Sequence, residues 1–464
     1  MTLYETEEHQ RDIGLGAVSG RLPRINRFRA LSVCLFVIAV VYLLQILTPL
    51  RLNVDVIHFL SVAASVADGN GYIYYGEPTY YPHGYPAMLA GLDRLGLAGS
   101  WSFVGLNCLF IALGMLAAYG IFRRHFCFER WKSLLLICLT LLNYGLVKQL
   151  TLPMSDVPFL GASMACVWML VETERRAGPG RWAFLLFGAL LAGMSIWIRT
   201  AGIALLPAVL WVAIPDRSRL LPALRRALRS RGRMLLMVGA SGVLLAGAIA
   251  LVALEQPKYF TDLLGFYSGR SPEVLAQIGL AKLRPWGEML VNVPASRVPS
   301  GSRLILALFG ALVLFIFGHA LWRRRRSIGV VEIYLLAYTG VVLLWPGFDV
   351  RFWIPVVPLL VAWAAVAVEP WLHRPFARRL LPLYLAWVFL TGAAALAYSS
   401  YLTFSGPRFP NRYGGGSYKP AFQVFYEGGG EAEAVSLKLD RPQREAVFLL
   451  IRYEHRTRPP AQKE

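Results

Sequence analysis

Eleven apolar stretches of 14 to 22 residues follow one another along the chain, and nothing else in it restricts the fold so strongly. A helix crossing ~30 Å of hydrocarbon at about 1.5 Å per residue needs about 20 predominantly apolar residues. The stretches are Ala30–Leu50, Trp101–Phe122, Ser133–Leu152, Val157–Val171, Trp182–Ile198, Ala201–Ile214, Met234–Leu254, Leu304–Trp322, Ser327–Pro346, Phe352–Val368 and Leu380–Tyr401. The fourth and sixth are short and cross only if extended, tilted or sheltered by neighbours. With 56% apolar and 16% charged residues, against about a quarter charged in soluble domains, the chain is expected to be an all-α polytopic membrane protein.

A net charge of +20 would suggest nucleic acid in a soluble protein. Its placement argues otherwise. Six short segments between alternate stretches, 21–30, 123–132, 172–181, 215–233, 323–326 and 369–379, hold 25 lysines and arginines in 64 residues. Cytoplasmic loops carry such an excess, so these residues report topology and no nucleic-acid partner is expected. The N-terminus is then cytoplasmic and the C-terminus periplasmic or extracellular, in a multi-pass protein of the inner (plasma) membrane. The first apolar run is too long for a signal-peptide core and lacks a small-residue cleavage site, so it is expected to remain as an anchor. All five cysteines, Cys34, Cys108, Cys127, Cys138 and Cys166, lie in stretches or in an inward segment, and no disulfide is expected.

This division gives a cytoplasmic segment (1–29), a membrane module (30–402) with long outward loops at 51–100 and 255–303, and an outward C-terminal segment (403–464). In the last, Ala434–Leu439 and Ala446–Tyr453 have strand-like content, which suits a small α/β cap and equally a mostly ordered accessory tail. The first loop opens on Asp55, continues with apolar residues at helical spacing (His58-Phe59-Leu60, Val62-Ala63) and breaks at Gly69-Asn70-Gly71. Tyr72, Tyr74, Tyr75, Tyr80 and Tyr81 follow, then the rigid turn Pro82-His83-Gly84-Tyr85-Pro86. Tyrosines in such a place serve as interfacial anchors or as a surface on which a sugar stacks and hydrogen-bonds.

An ionisable group near hydrocarbon costs several kcal/mol unless it is paired or hydrated. Five such groups end apolar stretches on the outward side: Asp55, Asp156, Arg199, Asp349 and Arg351. Each has an ordinary structural role open to it. Asp55 and Asp156 suit helix N-termini, Arg199 can snorkel, and Asp349 with Arg351 can form an exposed ion pair. Their common side also suits one site at the membrane boundary. Glu332 lies within a stretch on the inward half and shows no partner in the sequence.

The run from Asp55 through Val56–Ala67 and Gly69-Asn70-Gly71-Tyr72 to Tyr81-Pro82-His83-Gly84-Tyr85-Pro86 resembles the first outer loop of integral-membrane glycosyltransferases of the GT-C superfamily. The bacterial branch akin to protein O-mannosyltransferases and lipid A aminoarabinose transferases is the most similar. Arg199-Thr200-Ala201-Gly202 and Arg351-Phe352, with Pro355 and Pro358, resemble later landmarks of that family. The resemblance implies a GT-C-like fold, a polyprenyl-phosphate-linked monosaccharide as donor, and inverting transfer on the periplasmic side to a lipid, glycan or protein acceptor. It implies Asp55 as general base and, less directly, Asp156 as a second acid. His83 stands where relatives carry proline or, nearby, lysine.

A lipid phosphate leaves without protonation if its developing charge is stabilised, and one carboxylate suffices to activate the acceptor. Arg199, Arg351, His83 and Lys148 are therefore the candidates for donor-phosphate binding, with Tyr72, Tyr81 and Tyr85 for sugar or acceptor contacts. No cofactor or metal is expected, an Asp55/Asp156 metal pair being the alternative. Two other readings remain open. A transporter or flippase of lipid-linked sugars would line a central path with these charges. A polymerase or ligase of O-antigen type would rely on Arg270, Arg284 and Arg297 in the second long loop.

Overall fold

The computed structural model describes residues 24–214, 257–325, 328–405, 408–413, 416–428 and 438–454 of the 464-residue chain. The expected stretch Met234–Leu254 and the basic segment 215–233 lie outside the described residues, as does most of Ala434–Leu439. The first apolar stretch is helix α1 (Arg24–Leu44). The first loop then folds into α2 (Val54–Ala67), a two-stranded hairpin of β1 (Ile73–Tyr74) and β2 (Glu77–Pro78), and α3 (Gly84–Arg94). Asn53 starts α2 by accepting a hydrogen bond from the Val56 amide at 2.8 Å, as an N-cap should. Gly69 and Gly71, both at positive φ, end it where the sequence breaks.

The membrane module follows as α4 (Ser100–Arg124), α5 (Arg130–Leu141), α6 (Tyr144–Leu150), α7 (Asp156–Arg175) and α8 (Pro179–Ile198). A 3-10 turn, Thr200–Leu205, leads into α9 (Leu206–Ala213). After the break in described residues come α10 (Pro257–Tyr267), α11 (Pro272–Val291), α12 (Arg303–Arg323) and α13 (Val330–Leu344). A second 3-10 turn, Val350–Val356, precedes α14 (Val357–Val368) and α15 (Pro375–Thr403). The core centres on α7, which is buried on nearly every side over most of its length and packs between α4 and α8. Small residues allow that approach: a Cβ on Gly161 would stand 2.5 Å from the Phe110 carbonyl oxygen, and one on Gly114 would stand 2.4 Å from Leu160.

The described parts of the eleven stretches are mostly helical, but they are not eleven equal spans. Six described helices are long and apolar enough to cross a bilayer, or seven if α5 and α6 count as one. Those two are bent by 63°, so Ser133–Leu152 is a broken segment. The break has a cause. The Asn143 side chain caps α6 by accepting from the Gly145 and Leu146 amides, and Asn292 satisfies both sides of the gap through the Tyr144 amide and the Leu142 carbonyl. Thr200–Ala213 and Val330–Leu344 are shorter apolar segments.

One expectation needs correction, and one residue left without a partner in the sequence gains one. The C-terminal segment is helical where described, in α16 (Phe409–Tyr413), α17 (Lys419–Tyr426) and α18 (Arg441–Tyr453). Ala446–Tyr453 is thus helix rather than strand, because its apolar residues Ala446, Val447, Leu449, Leu450 and Tyr453 fall on one helical face, buried against α2 and α17. Glu332, without an evident partner in sequence, pairs with His125 at 2.8 Å and caps the Gly329 amide at 2.9 Å. All five cysteines are free thiols.

Candidate functional site

Each charged side chain of the site is aimed by a local device. The N-cap of α2 sets Asp55 in its first turn. Asp156 opens α7, and the strand of chain before it is held by Asn107 of α4, whose buried amide donates to the carbonyls of Leu150 and Leu152 at 2.9 and 2.8 Å. Arg199 ends α8, and Gly202 lets the chain turn back at once: a Cβ there would meet Ile196 N at 2.5 Å, and its amide donates to the Arg199 carbonyl at 2.8 Å. Asp349 caps the turn carrying Arg351, accepting from its amide at 2.9 Å.

These four segments meet around a cavity of about 170 Å³, where a water needs only about 10–15 Å³ of such space. Asp55, Asp156, Arg199, Arg351, Tyr81 and Phe352 line its polar part. Ile203, Leu263, Val341, Val342, Leu344 and Trp345 supply an apolar wall. Arg351 forms an ion pair with Asp55, and Arg199 one with Asp156. Tyr81 donates its hydroxyl to the other Asp55 oxygen at 2.8 Å. Arg351 thus pairs across the molecule rather than with its sequence neighbour Asp349.

Burial pushes the Asp55 carboxyl up, yet the charge and hydrogen bond of Arg351, with Tyr81 and Arg199 behind them, outweigh it and hold the group below its ordinary range. Asp55 is therefore an anion at neutral pH. Burial first, then the Asp55 charge, pushes the Tyr81 hydroxyl upward, so it stays a donor. The His58 imidazole is lowered to about 4 by burial, partly opposed by Asp55. It is neutral and bonds to the Thr79 hydroxyl at 2.7 Å, which in turn accepts from the Tyr81 amide at 3.1 Å.

The remaining candidates stand elsewhere. His83 is exposed and stacks on Tyr72 with ring centroids 4.1 Å apart, and Lys148 is exposed on α6. Tyr85 is fully buried against Phe59. None of these four lines the cavity. The arginines of the second long loop do not either: Arg284 pairs with Glu288 at 3.3 Å, Arg297 lies over Tyr398, and Arg270 binds the Phe266 carbonyl. Among the described residues no group of three or more His, Cys, Asp or Glu side chains could hold a metal ion. Sequence reasoning missed Asn107, although an asparagine inside an apolar span is itself a signal.

No family model matches the sequence, and no curated protein matches it. Solved structures do. ArnT from Cupriavidus metallidurans bound to undecaprenyl phosphate is 16% identical with a TM-score of 0.43, over 91% of this chain and 75% of that one. The Archaeoglobus fulgidus oligosaccharyltransferase in complex with zinc and sulfate is 15% identical with a TM-score of 0.47, over 79% and 53%. The oligosaccharyltransferase AglB of the same organism, with an inhibitory peptide and a dolichol-phosphate, is 14% identical with a TM-score of 0.42, over 81% and 55%.

Proposed function

We propose that this chain is a membrane glycosyltransferase that moves a monosaccharide, with inversion, from a polyprenyl-phosphate donor to an acceptor hydroxyl or amine on the periplasmic or extracellular face. The observation that carries the reading is one cavity lined both by apolar side chains and by two acid–arginine pairs. An isoprenoid suits the wall, and a phosphate suits two guanidinium groups, whose forked donors match its oxygens.

The acceptor oxygen or nitrogen forms a bond to the anomeric carbon while the bond from that carbon to the phosphate oxygen breaks. The electron pair leaves with the polyprenyl phosphate, whose growing charge Arg351 and Arg199 offset. Asp55 takes the acceptor proton. A donor phosphate competes for Arg351 and so releases Asp55 toward the acceptor, while Asp156 keeps Arg199 in place. Gathering of the charges in one cavity supports transfer over transport, in which they would line a path between halves.

The test is transfer of labelled sugar from a synthetic polyprenyl-phosphate donor in membranes containing Asp55→Asn. Turnover is expected to fall by about 10²–10⁴, the usual worth of a general base, with the donor still bound. Undiminished turnover would overturn the base assignment.

A further inference from the structure

Phe352, which the sequence offered only as part of a motif, touches both cations of the site. The Arg351 and Arg199 guanidinium carbons lie 5.0 and 5.4 Å from its ring centroid. An aromatic face attracts a cation within about 6 Å, and more strongly where water is excluded. One ring therefore serves two arginines that come from chain segments about 150 residues apart and would otherwise repel each other.

The backbone of Phe352 is held at two points, and its ring at a third. The Phe352 amide donates to the Asp349 carbonyl at 3.3 Å. Tyr338, from α13, donates its hydroxyl to the Phe352 carbonyl at 2.6 Å. At Gly347 an added Cβ would stand 2.3 Å from Phe352 Cε2, so the ring occupies the space that glycine leaves.

Resting on the reading of Arg199 and Arg351 as donor-phosphate ligands, we propose that Phe352 is a positioning residue that sets the separation and aim of the two guanidinium groups for one phosphate. Its share of donor recognition is then specific to the phosphate and independent of the isoprenoid.

The experiment uses the full-length protein in detergent, with farnesyl phosphate and farnesol as probes of equal tail. Phe352→Leu is expected to weaken farnesyl phosphate about tenfold, as loss of two partly desolvated cation–π contacts would, and to leave farnesol unchanged. Phe352→Tyr, which keeps the ring, should stay within about threefold of the parent protein. Gly347→Ala should reproduce the loss without altering the ring's chemistry. Farnesyl phosphate bound equally well by Phe352→Leu, in a protein where Arg351→Ala and Arg199→Ala have both lost it, would overturn the positioning role alone. An equal loss of farnesol would reduce Phe352 to a wall of the tail site and overturn it as well. Farnesyl phosphate bound normally by both arginine variants would instead remove the donor-phosphate reading, and the positioning role with it.

Discussion

The two acid–arginine pairs are chemically alike and placed differently. Asp156 has 1% of its side chain exposed and Arg199 15%, whereas Asp55 and Arg351 have 21% and 22%. Asp156 lies at the head of α7, which is buried over most of its length, and Asp55 on a helix of the first long loop. A more deeply buried pair is harder to exchange for a ligand, since separating it strands a charge away from water. A more exposed pair is opened more easily by an incoming anion. The same chemistry thus supplies a fixed cation in one place and a displaceable one in the other.

Isosteric substitutions that remove the charge of each acid should separate these roles most sharply. Asp55→Asn should lose turnover as above, with a smaller fall in thermal midpoint than Asp156→Asn. Asp156→Asn leaves Arg199 inside without its counter-charge and should cost ~3–5 kcal/mol of stability, read by thermal unfolding of the purified protein. Reversed sensitivities would break the distinction. Next in size, Arg351→Lys keeps the charge but loses the fork, and should raise the donor KM roughly tenfold at similar expression. An unchanged KM would mean that phosphate binds without Arg351.

Two smaller effects concern pH. Asp55 is depressed in the folded state, so its pairing stabilises fully above the unfolded carboxylate value of about 3.9 and is lost as pH falls through the lower folded value. Tyr81→Phe removes one of the interactions lowering that value. It should shift the acid limb of the rate profile toward higher pH, with a stability loss of about 1 kcal/mol. An acid limb that does not move would show that Tyr81 does not tune the carboxylate.

His58 is also depressed, to about 4, but it is a base buried neutral. The unfolded chain takes up its proton near 6.5 and the folded one does not, so stability should decline as pH falls from about 6.5 toward 4. His58→Gln should flatten that slope in a series of thermal midpoints. A slope unaltered by the substitution would assign it to another group.

Charge at the ends of apolar runs made Asp55, Asp156, Arg199 and Arg351 legible in the sequence, because only function or pairing sustains such groups there. The pairings were not legible. Arg351 has an acid two residues away and chooses one 296 residues away, a choice set by how α2 docks on the module. Among the tyrosines, composition could not separate Tyr81, bonded to Asp55, from Tyr85 in the core or Tyr72 stacked on His83. The helix over Ala446–Tyr453 was misread because β-favouring Val, Phe, Ile and Tyr also make an amphipathic helical face when a partner covers it. His125 and Glu332 lie 207 residues apart, beyond any local rule.

The covering of the first loop by α18 has a consequence for how the protein is made. Ser61 bonds Glu445 at 2.5 Å, Asp68 receives both Nη groups of Arg452 at 2.8 Å, and Asp93 takes Tyr453 at 2.8 Å. The partners of each bond are separated by 360 to 384 residues, so the ribosome releases one long before the other. During most of synthesis the acid-bearing loop has no roof, and its closure is among the last steps of assembly.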